Sequence, residues 1–253
     1  MDYYYFGQGK VWSRRLNVVG GKWRWWGDVS SLTIGLDLEK LQHKESYSGN
    51  KGIVRDFAVS KAMTVNATLH QLDTDSLAEL IYGAVNTVAA GAVVTEDLGT
   101  VAAGDVLKLD YPGVSTLVVT DSAGAPVTIA ATHYVLDARF GSLEFVSLPS
   151  APAPTPPLKA AYSHSENKQV NMFTQPQPII EFRYEGLNLA ESNAPVIVEV
   201  YRMSTDPLKE LALINNDTSL AGAPVTCAAL LDTTKPASGP LGQFGRIIQL
   251  AAV

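Results

Sequence analysis

The stretch that decides the fold is LTIGLDLE, Leu32 to Glu39, in which apolar residues occupy every second position. A period of two buries one face of a β-strand and leaves the other face in water. The stretch from Met63 to His70 (MTVNATLH) alternates in the same way, and no proline interrupts it. The sequence therefore predicts two half-buried strands that pair with each other.

A polar connection, Leu41 to Gly52 (LQHKESYSGNKG), separates these two strands. It has little to bury and contains two glycines. Adjacent strands are commonly joined by roughly two to five residues, so this connection is too long for a simple turn. Long ordered loops often carry function, and we expect the same of this one.

A short helix is predicted from Asp73 to Gly83. Asp73 or Thr74 can cap its start, and Leu80 belongs to a set of apolar residues at helical spacing. Gly83 supplies the left-handed residue that commonly ends a helix. We expect about three turns laid against a sheet.

Length and composition indicate a globular protein with a sizeable core. The chain has 253 residues, of which 46% are hydrophobic, enough for one elaborate domain or for a domain with an inserted module. No window approaches the roughly 20 apolar residues of a membrane span, and Met1 to Tyr5 lacks signal-peptide features. We therefore expect synthesis in a cytoplasm and no membrane insertion. The single cysteine, Cys227, is interpreted as a small core residue.

Charge is distributed unevenly along the chain. Residues 1–61 hold ten Lys/Arg against six Asp/Glu, net +4, whereas the remaining 192 residues hold nine against nineteen, net −10. This division suits contact between basic and acidic surfaces of identical subunits, although a merely solvated surface is the commoner explanation.

All four tryptophans lie between residues 3 and 27, next to several basic residues. Gly20-Gly21 is placed as a hairpin turn would be. In the run WRWW, residues 23–26, Trp23 and Trp25 share one strand face and Trp26 lies on the other, which predicts aromatic surface on both sides. Packing in a sheet or at a subunit interface is favoured, and binding to a membrane surface or nucleic acid is the alternative.

Residues 86–157 differ in composition and predict an inserted small β (Ig-like) domain. Glu96-Asp97 has the composition of a turn, and five prolines between 149 and 157 form a stiff connector. The predicted strands of this domain are Val106–Leu109, Thr116–Thr120, Val127–Ala130, Tyr134–Asp137 and Leu143–Ser147.

The last third of the chain is also predicted to be mainly β. Its strands are Lys159–Ser163, Ile179–Tyr184, Val196–Met203, Val225–Leu231 and Phe244–Leu250. Pro207–Asn215 is either a short helical turn or an extended crossing. The predicted fold is therefore an antiparallel β-sandwich with one short flanking α-helix, formed by residues 1–85 and 158–253.

Enzyme motifs are missing from the sequence. The histidines His43, His70, His133 and His164 have no metal-pair spacing, and there is neither a nucleophile elbow nor a phosphate-binding glycine loop. The carboxylates of Asp73 and Asp75 suit helix capping. We accordingly predict no enzyme and no catalytic, cofactor-binding or metal-binding residues.

Several of these segments together resemble the major tail tube proteins of long-tailed (siphovirus-like) bacteriophages. The resemblance lies in the strand ending at Glu39, the loop from Leu41 to Gly49, and the helix ending LIYG at Gly83. It continues in FRYEGLN, residues 182–188, and in the run from Val196 to Leu213. It covers residues 3–85 and 159–250, and the insertion is the least familiar part.

The resemblance implies a structural virion protein that forms hexameric rings stacked into a hollow tail tube for genome ejection. The implied partners are other copies of the chain, tail terminator and tail-tip or baseplate proteins, a tape measure protein in the lumen, and double-stranded DNA in transit. The location would be the virion tail, after a period in the host cytoplasm. The long loop would contact a neighbouring ring through His43, Lys44, Glu45, Ser46, Tyr47, Ser48, Asn50, Lys51 and Arg55.

Acidity also suits a conduit, because a lumen that repels phosphates lets DNA slide. Two alternatives remain open. A carbohydrate- or surface-binding β-sandwich module would use exposed Trp23, Trp25 and Trp26, and an enzyme without a recognisable motif would need a pocket of converging titratable groups.

Overall fold

The computed structural model describes residues 4–216, 218 and 220–250. The chain divides into two compact units, Met1–Val85 with Val170–Val253 (unit 1) and Asn86–Gln169 (unit 2). In the described residues, no helix is long and apolar enough to cross a membrane.

The described residues form seventeen strands, one α-helix and two short 3₁₀ turns. In chain order these are β1 (Gly7–Arg15), β2 (Arg24–Trp25), β3 (Val29–Lys44), β4 (Ile53–Leu69), α1 (Thr74–Leu80), β5 (Val85–Val88), β6 (Gly91–Gly99), β7 (Val106–Lys108), β8 (Val114–Thr120), β9 (Thr128–Ile129), a 3₁₀ turn (Ala131–His133), β10 (Tyr134–Asp137), β11 (Ser142–Phe145), β12 (Leu158–His164), β13 (Asn167–Val170), β14 (Ile179–Asn188), a 3₁₀ turn (Leu189–Glu191), β15 (Ala194–Thr205), β16 (Ala223–Ala229) and β17 (Gly245–Gln249).

Unit 1 is built on one antiparallel sheet in the order β2-β1-β14-β15-β16-β4-β3, with β17 also paired to β15. Strand β15 serves two neighbours on one edge, since Val196–Val200 pair with β17 and Met203–Thr205 pair with β16. Buried side chains from strands on both sides of β15 form one core: Val11, Trp26, Val65, Ala67, Leu69, Ile180, Phe182, Val200, Met203, Val225 and Cys227. The protein is mainly β and sandwich-like, as the sequence predicts.

Helix α1 flanks this core and is capped as predicted. The Asp73 carboxylate accepts a hydrogen bond from the Ser76 amide at 2.7 Å, and Leu80 packs in the core. The helix is shorter than predicted, and its buried face includes the carboxylate of Glu79.

Gly83 has a different role from the predicted one. Tyr82, with φ of +52°, adopts the left-handed conformation, and the Gly83 amide donates to the carbonyl of Ala78 at 2.7 Å. A Cβ at Gly83 would lie 1.9 Å from the carbonyl oxygen of Asn171. Glycine is therefore needed for close backbone approach, which the local sequence does not reveal.

Unit 2 has its own core between a three-stranded sheet, β10-β11-β7, and a four-stranded sheet, β6-β12-β8-β9. Strands β5 and β13 pair separately. The fully buried residues include Leu109, Val119, Leu143 and Phe145. Each of the five strands predicted for this domain has an observed counterpart: Tyr134–Asp137 is identical, and the ends of the other four differ by at most two residues.

The end of unit 2 lies later than the predicted Pro157. Strand β12 pairs with both β6 and β8, so it belongs to unit 2 and not to the sandwich of unit 1. Glu96-Asp97 is not a turn but part of β6. The Glu96 carboxylate accepts hydrogen bonds from the Tyr162 hydroxyl on β12 and from the Asp110 amide just after β7, so it links β6 to both of these segments.

Candidate functional site

Strands β3 and β4 form a single long hairpin, whose ladder runs from the Val29–Leu69 pair to the Lys44–Ile53 pair. The predicted polar loop is therefore wrong at its start, because Leu41–Lys44 continue β3. The real turn comprises residues 45–52. Backbone hydrogen bonds hold this distal part of the ladder together and do not depend on which side chains it carries. A strand that is exposed on both faces needs no alternation of apolar and polar residues, so such a pattern could not predict it.

We call residues 36–62 the hairpin arm. Every residue in 36–44 and in 53–62 is exposed, whereas Val65 and Ala67, near the base of the same hairpin, are buried. At a rise of about 3.4 Å per residue, nine residues carry the arm about 30 Å beyond the core. The arm is therefore a projection of paired strands and not a loose loop.

Seven large apolar side chains are exposed along the hairpin arm, and they share no core with the rest of unit 1. Leu36 is 80% exposed, although the alternation in LTIGLDLE predicted that it would lie on the buried face of the strand. The set is Leu36, Leu38, Leu41, Ile53, Val54, Phe57 and Val59. Leu36 and Leu38 lie on one face of β3, whereas Leu41 and its partner Phe57 lie on the other, so both faces of the arm expose large apolar side chains. An isolated exposed apolar residue is ordinary, but seven on one projection indicate an interaction site.

Glu45 organises the tip of the arm. Its carboxylate accepts from the amides of Tyr47 (3.2 Å) and Ser48 (2.8 Å) and from the Ser48 hydroxyl, and its own amide donates to Gly52. These hydrogen bonds, led by that of the Ser48 hydroxyl, hold the pKa of Glu45 below its usual value. The tip is thus a defined turn, with Tyr47 presented outward at 86% exposure.

The arm carries both signs of charge. It contains five basic residues and four acidic ones, so its net charge is +1. The basic residues are Lys40, Lys44, Lys51, Arg55 and Lys61, and the acidic ones are Asp37, Glu39, Glu45 and Asp56. Lys40 pairs with Asp56 at 3.1 Å, and the Ser60 hydroxyl donates to Glu39 at 2.7 Å. The arm is therefore a nearly neutral mixture of charged and apolar side chains.

All nine predicted contact residues lie on this arm. His43 and Lys44 are on β3, Arg55 is on β4, and the other six, Glu45, Ser46, Tyr47, Ser48, Asn50 and Lys51, are in the turn. His43 lies directly opposite Arg55 in the ladder. The seven exposed apolar residues of the arm were not among the predicted contact residues. The run FAV at 57–59 is the sequence feature that could have indicated them.

The tryptophan cluster is only partly a surface. Trp23 and Trp25 are 40% and 45% exposed, but Trp26 is buried against Phe182, so the predicted aromatic surface on both faces is wrong. The Arg14 guanidinium lies 5.2 Å from the Trp23 ring, and the Lys10 ammonium lies 5.7 Å from the Trp25 ring. Each of these two exposed rings therefore makes a cation–π contact with a basic side chain.

Glu79, whose partner Arg24 lies between Trp23 and Trp25 in the sequence, joins α1 to strands β1 and β2. Its carboxylate accepts from Arg24 at 2.7 Å and from Arg15 at 3.3 Å, although its side chain is only 5% exposed. Arg24 also donates to the Ser76 hydroxyl at 2.6 Å. Each of these charged side chains has a partner of opposite charge, so we interpret the network as one that holds α1 against β1 and β2.

The four histidines do not converge on one site. His43 is on the arm, and the His70 ring contacts the Ala221 carbonyl at 3.1 Å. His133 contacts the Ser147 hydroxyl at 2.8 Å, and His164 stacks on Tyr111 with ring centroids 4.2 Å apart. Among the described residues, no group of three or more His, Cys, Asp or Glu side chains could hold a metal ion.

The fold and the arm together define a two-unit β protein with a projecting hairpin. Comparison with known families adds a match to a family described as "Protein of unknown function UCP028589", over residues 4–248. Because the match spans nearly the whole chain, the protein belongs to this family. A search of curated proteins found no match.

Proposed function

We propose that this protein is a structural virion component that assembles into stacked hexameric rings and forms the tail tube of a long-tailed phage. The observation that carries the proposal is the hairpin arm, which exposes seven large apolar side chains on a paired ladder about 30 Å long. A monomer gains nothing from this surface, whereas a neighbouring copy can bury it.

The preformed tip supports contact between rings. Glu45 fixes the turn with three hydrogen bonds to its carboxylate, so Tyr47 and the neighbouring side chains are presented with little ordering cost on binding. The mixed charges of the arm allow complementary pairing with another copy and oppose binding to a surface of uniform sign.

The charge distribution is compatible with DNA transit. The chain is −6 overall, and the arm contributes only +1, so neither offers the strongly basic surface that would retain DNA by counterion release. In this proposal DNA passes through the lumen without specific binding, and the end partners are terminator, tail-tip and tape measure proteins.

The test is electron microscopy of concentrated purified protein, with its mass in solution, for wild type and for the double variant Leu41→Ser, Phe57→Ser. These two residues face each other in the ladder and are 62% and 46% exposed, so the variant should fold normally but lose rings and tubes. The matched control is Val18→Ser, Val19→Ser, at 49% and 105% exposure elsewhere in unit 1. Tubes formed equally by both variants would refute the role of the arm.

A carbohydrate- or surface-binding module is the second candidate, favoured by the exposed rings of Trp23 and Trp25. In that case wild type would remain monomeric in the same experiment and would bind a glycan panel. The bound cations leave less of each ring free for a sugar, which places this candidate second.

A further inference from the structure

A groove on unit 1 leaves part of the sandwich core uncovered. It encloses about 880 Å³ between β3 and the strands β1, β14, β15 and β17, and its apolar lining includes Leu32, Ile34 and Val198. Ile247, which lies directly opposite Val198 in the ladder, also lines the groove and is 64% exposed. An apolar residue this exposed beside the core lacks a covering element.

Two strand edges border the groove. Within the described part of the chain, β3 pairs with β4 alone and β17 pairs with β15 alone. Each strand therefore presents a row of backbone N–H and C=O groups that an added strand can pair with. Apolar lining between open edges is the geometry of strand addition, and an extended apolar segment is the occupant that satisfies both.

The chain carries such a segment in the connection between β15 and β16. We call residues 206–216, the described first part of this connection, the aliphatic loop. Its base is fixed, since the Asp206 amide donates to Thr226 and the Leu208 amide donates to Leu80, both at 2.9 Å. Beyond this base, Leu211, Ala212, Leu213 and Ile214 are all exposed, and the last two reach 85% and 87%.

This exposed run suits the groove in two respects. Leu211–Ile214 form neither a helical turn nor a strand, so their backbone is available to a new ladder. The run is close in length to β17, which has five residues. Four consecutive exposed apolar residues outside any helix or strand are typical of a functional segment.

We propose that Leu211–Ile214 of one copy insert as a strand into the groove between β3 and β17 of a second copy. The contact joins two different surfaces of the same chain, so it is head-to-tail and propagates into a ring or a filament. This inference rests on the proposed self-assembly and adds to it a second, separate contact that does not use the hairpin arm.

Cysteine cross-linking tests the contact. Purified Leu213→Cys and Ile247→Cys variants are mixed and oxidised, and the native Cys227 is retained because it is fully buried. We expect a disulfide-linked dimer in the mixture at a yield at least about tenfold above the control, as the high effective concentration at a specific contact requires. The control is a mixture of Leu213→Cys with Phe140→Cys, which places a 72% exposed cysteine on unit 2.

The outcomes separate this contact from the tube proposal. Equal yields in test and control mixtures, or disulfide closure within a dilute monomer of the double variant, would overturn the inference. If wild type forms tubes without the cross-link, the groove contact fails and the tube stands. If the cross-link forms without rings or tubes, the contact stands and the tube proposal fails. If neither forms, both are wrong.

Discussion

The two halves of the β3–β4 hairpin share one antiparallel ladder but differ in almost everything else. At the base, Ile34 lies opposite Val65, which is 1% exposed, and both pack against the core. In the hairpin arm, Leu41 lies opposite Phe57, and both are exposed. An apolar cross-strand pair therefore contributes to folding where the rest of the unit covers it and is available for association where nothing does.

The energetic difference between the halves is large enough to matter. Burying one Val, Leu, Ile or Phe side chain stabilises by about 1.5–3 kcal/mol. The seven exposed apolar residues of the arm therefore represent on the order of 10 kcal/mol that the monomer does not gain, before the costs of association. The base of the hairpin stabilises unit 1, whereas the exposed apolar side chains of the arm can stabilise contact with a partner.

The largest difference between the two halves is expected when the same charge is placed in each. Val65→Asp buries a carboxylate without a partner and should destabilise unit 1 by more than about 4 kcal/mol. Val59→Asp, at a position 60% exposed in the arm, should change stability by less than about 0.5 kcal/mol. Urea denaturation measures both, and similar losses from the two variants would show that the arm is part of the folded core.

A smaller effect is expected where charge is already buried near the base. Glu79→Ala removes the carboxylate that Arg15 and Arg24 share and leaves Arg24 with the more exposed Asp73 carboxylate at 3.5 Å. The change should cost about 2–3 kcal/mol, less than in a fully buried case because both arginines are partly exposed. Glu181→Ala removes the more exposed pair with Arg14 and should cost less than about 1 kcal/mol. Equal costs in urea denaturation would contradict the tethering role of Glu79.

The smallest effect concerns the tip of the arm and depends on pH. Because the pKa of Glu45 is lowered in the folded tip, its contribution is complete above the usual value of 4.5 and is lost as pH falls through the lowered folded pKa. Glu45→Gln should raise amide exchange at Tyr47 and Ser48 at neutral pH and remove this acid dependence. Glu39→Gln, on the same arm, is the control and should leave these amides unchanged.

Local signals in the sequence predicted much of the fold. The capping of α1 by Asp73 follows from a short-range side-chain hydrogen bond, and the strand Tyr134–Asp137 follows from turn residues on either side. The long connection after Glu39 led to the prediction of nine contact residues, all of which lie on the hairpin arm, and their role in assembly stays a prediction. What escaped prediction was the backbone state of Leu41–Lys44, since an exposed ladder leaves no periodic trace.

The sequence by itself determined the antiparallel β class, the helix start and the region that carries the candidate site, because these depend on residues close together in the chain. Only the tertiary structure decided that Leu36 is exposed, that Glu79 is buried and that β12 belongs to unit 2. Burial depends on whether an element distant in sequence covers a face, and that element is chosen by the packing of the whole unit. The same physical reason explains why one hairpin can serve as core at its base and as a binding surface at its end.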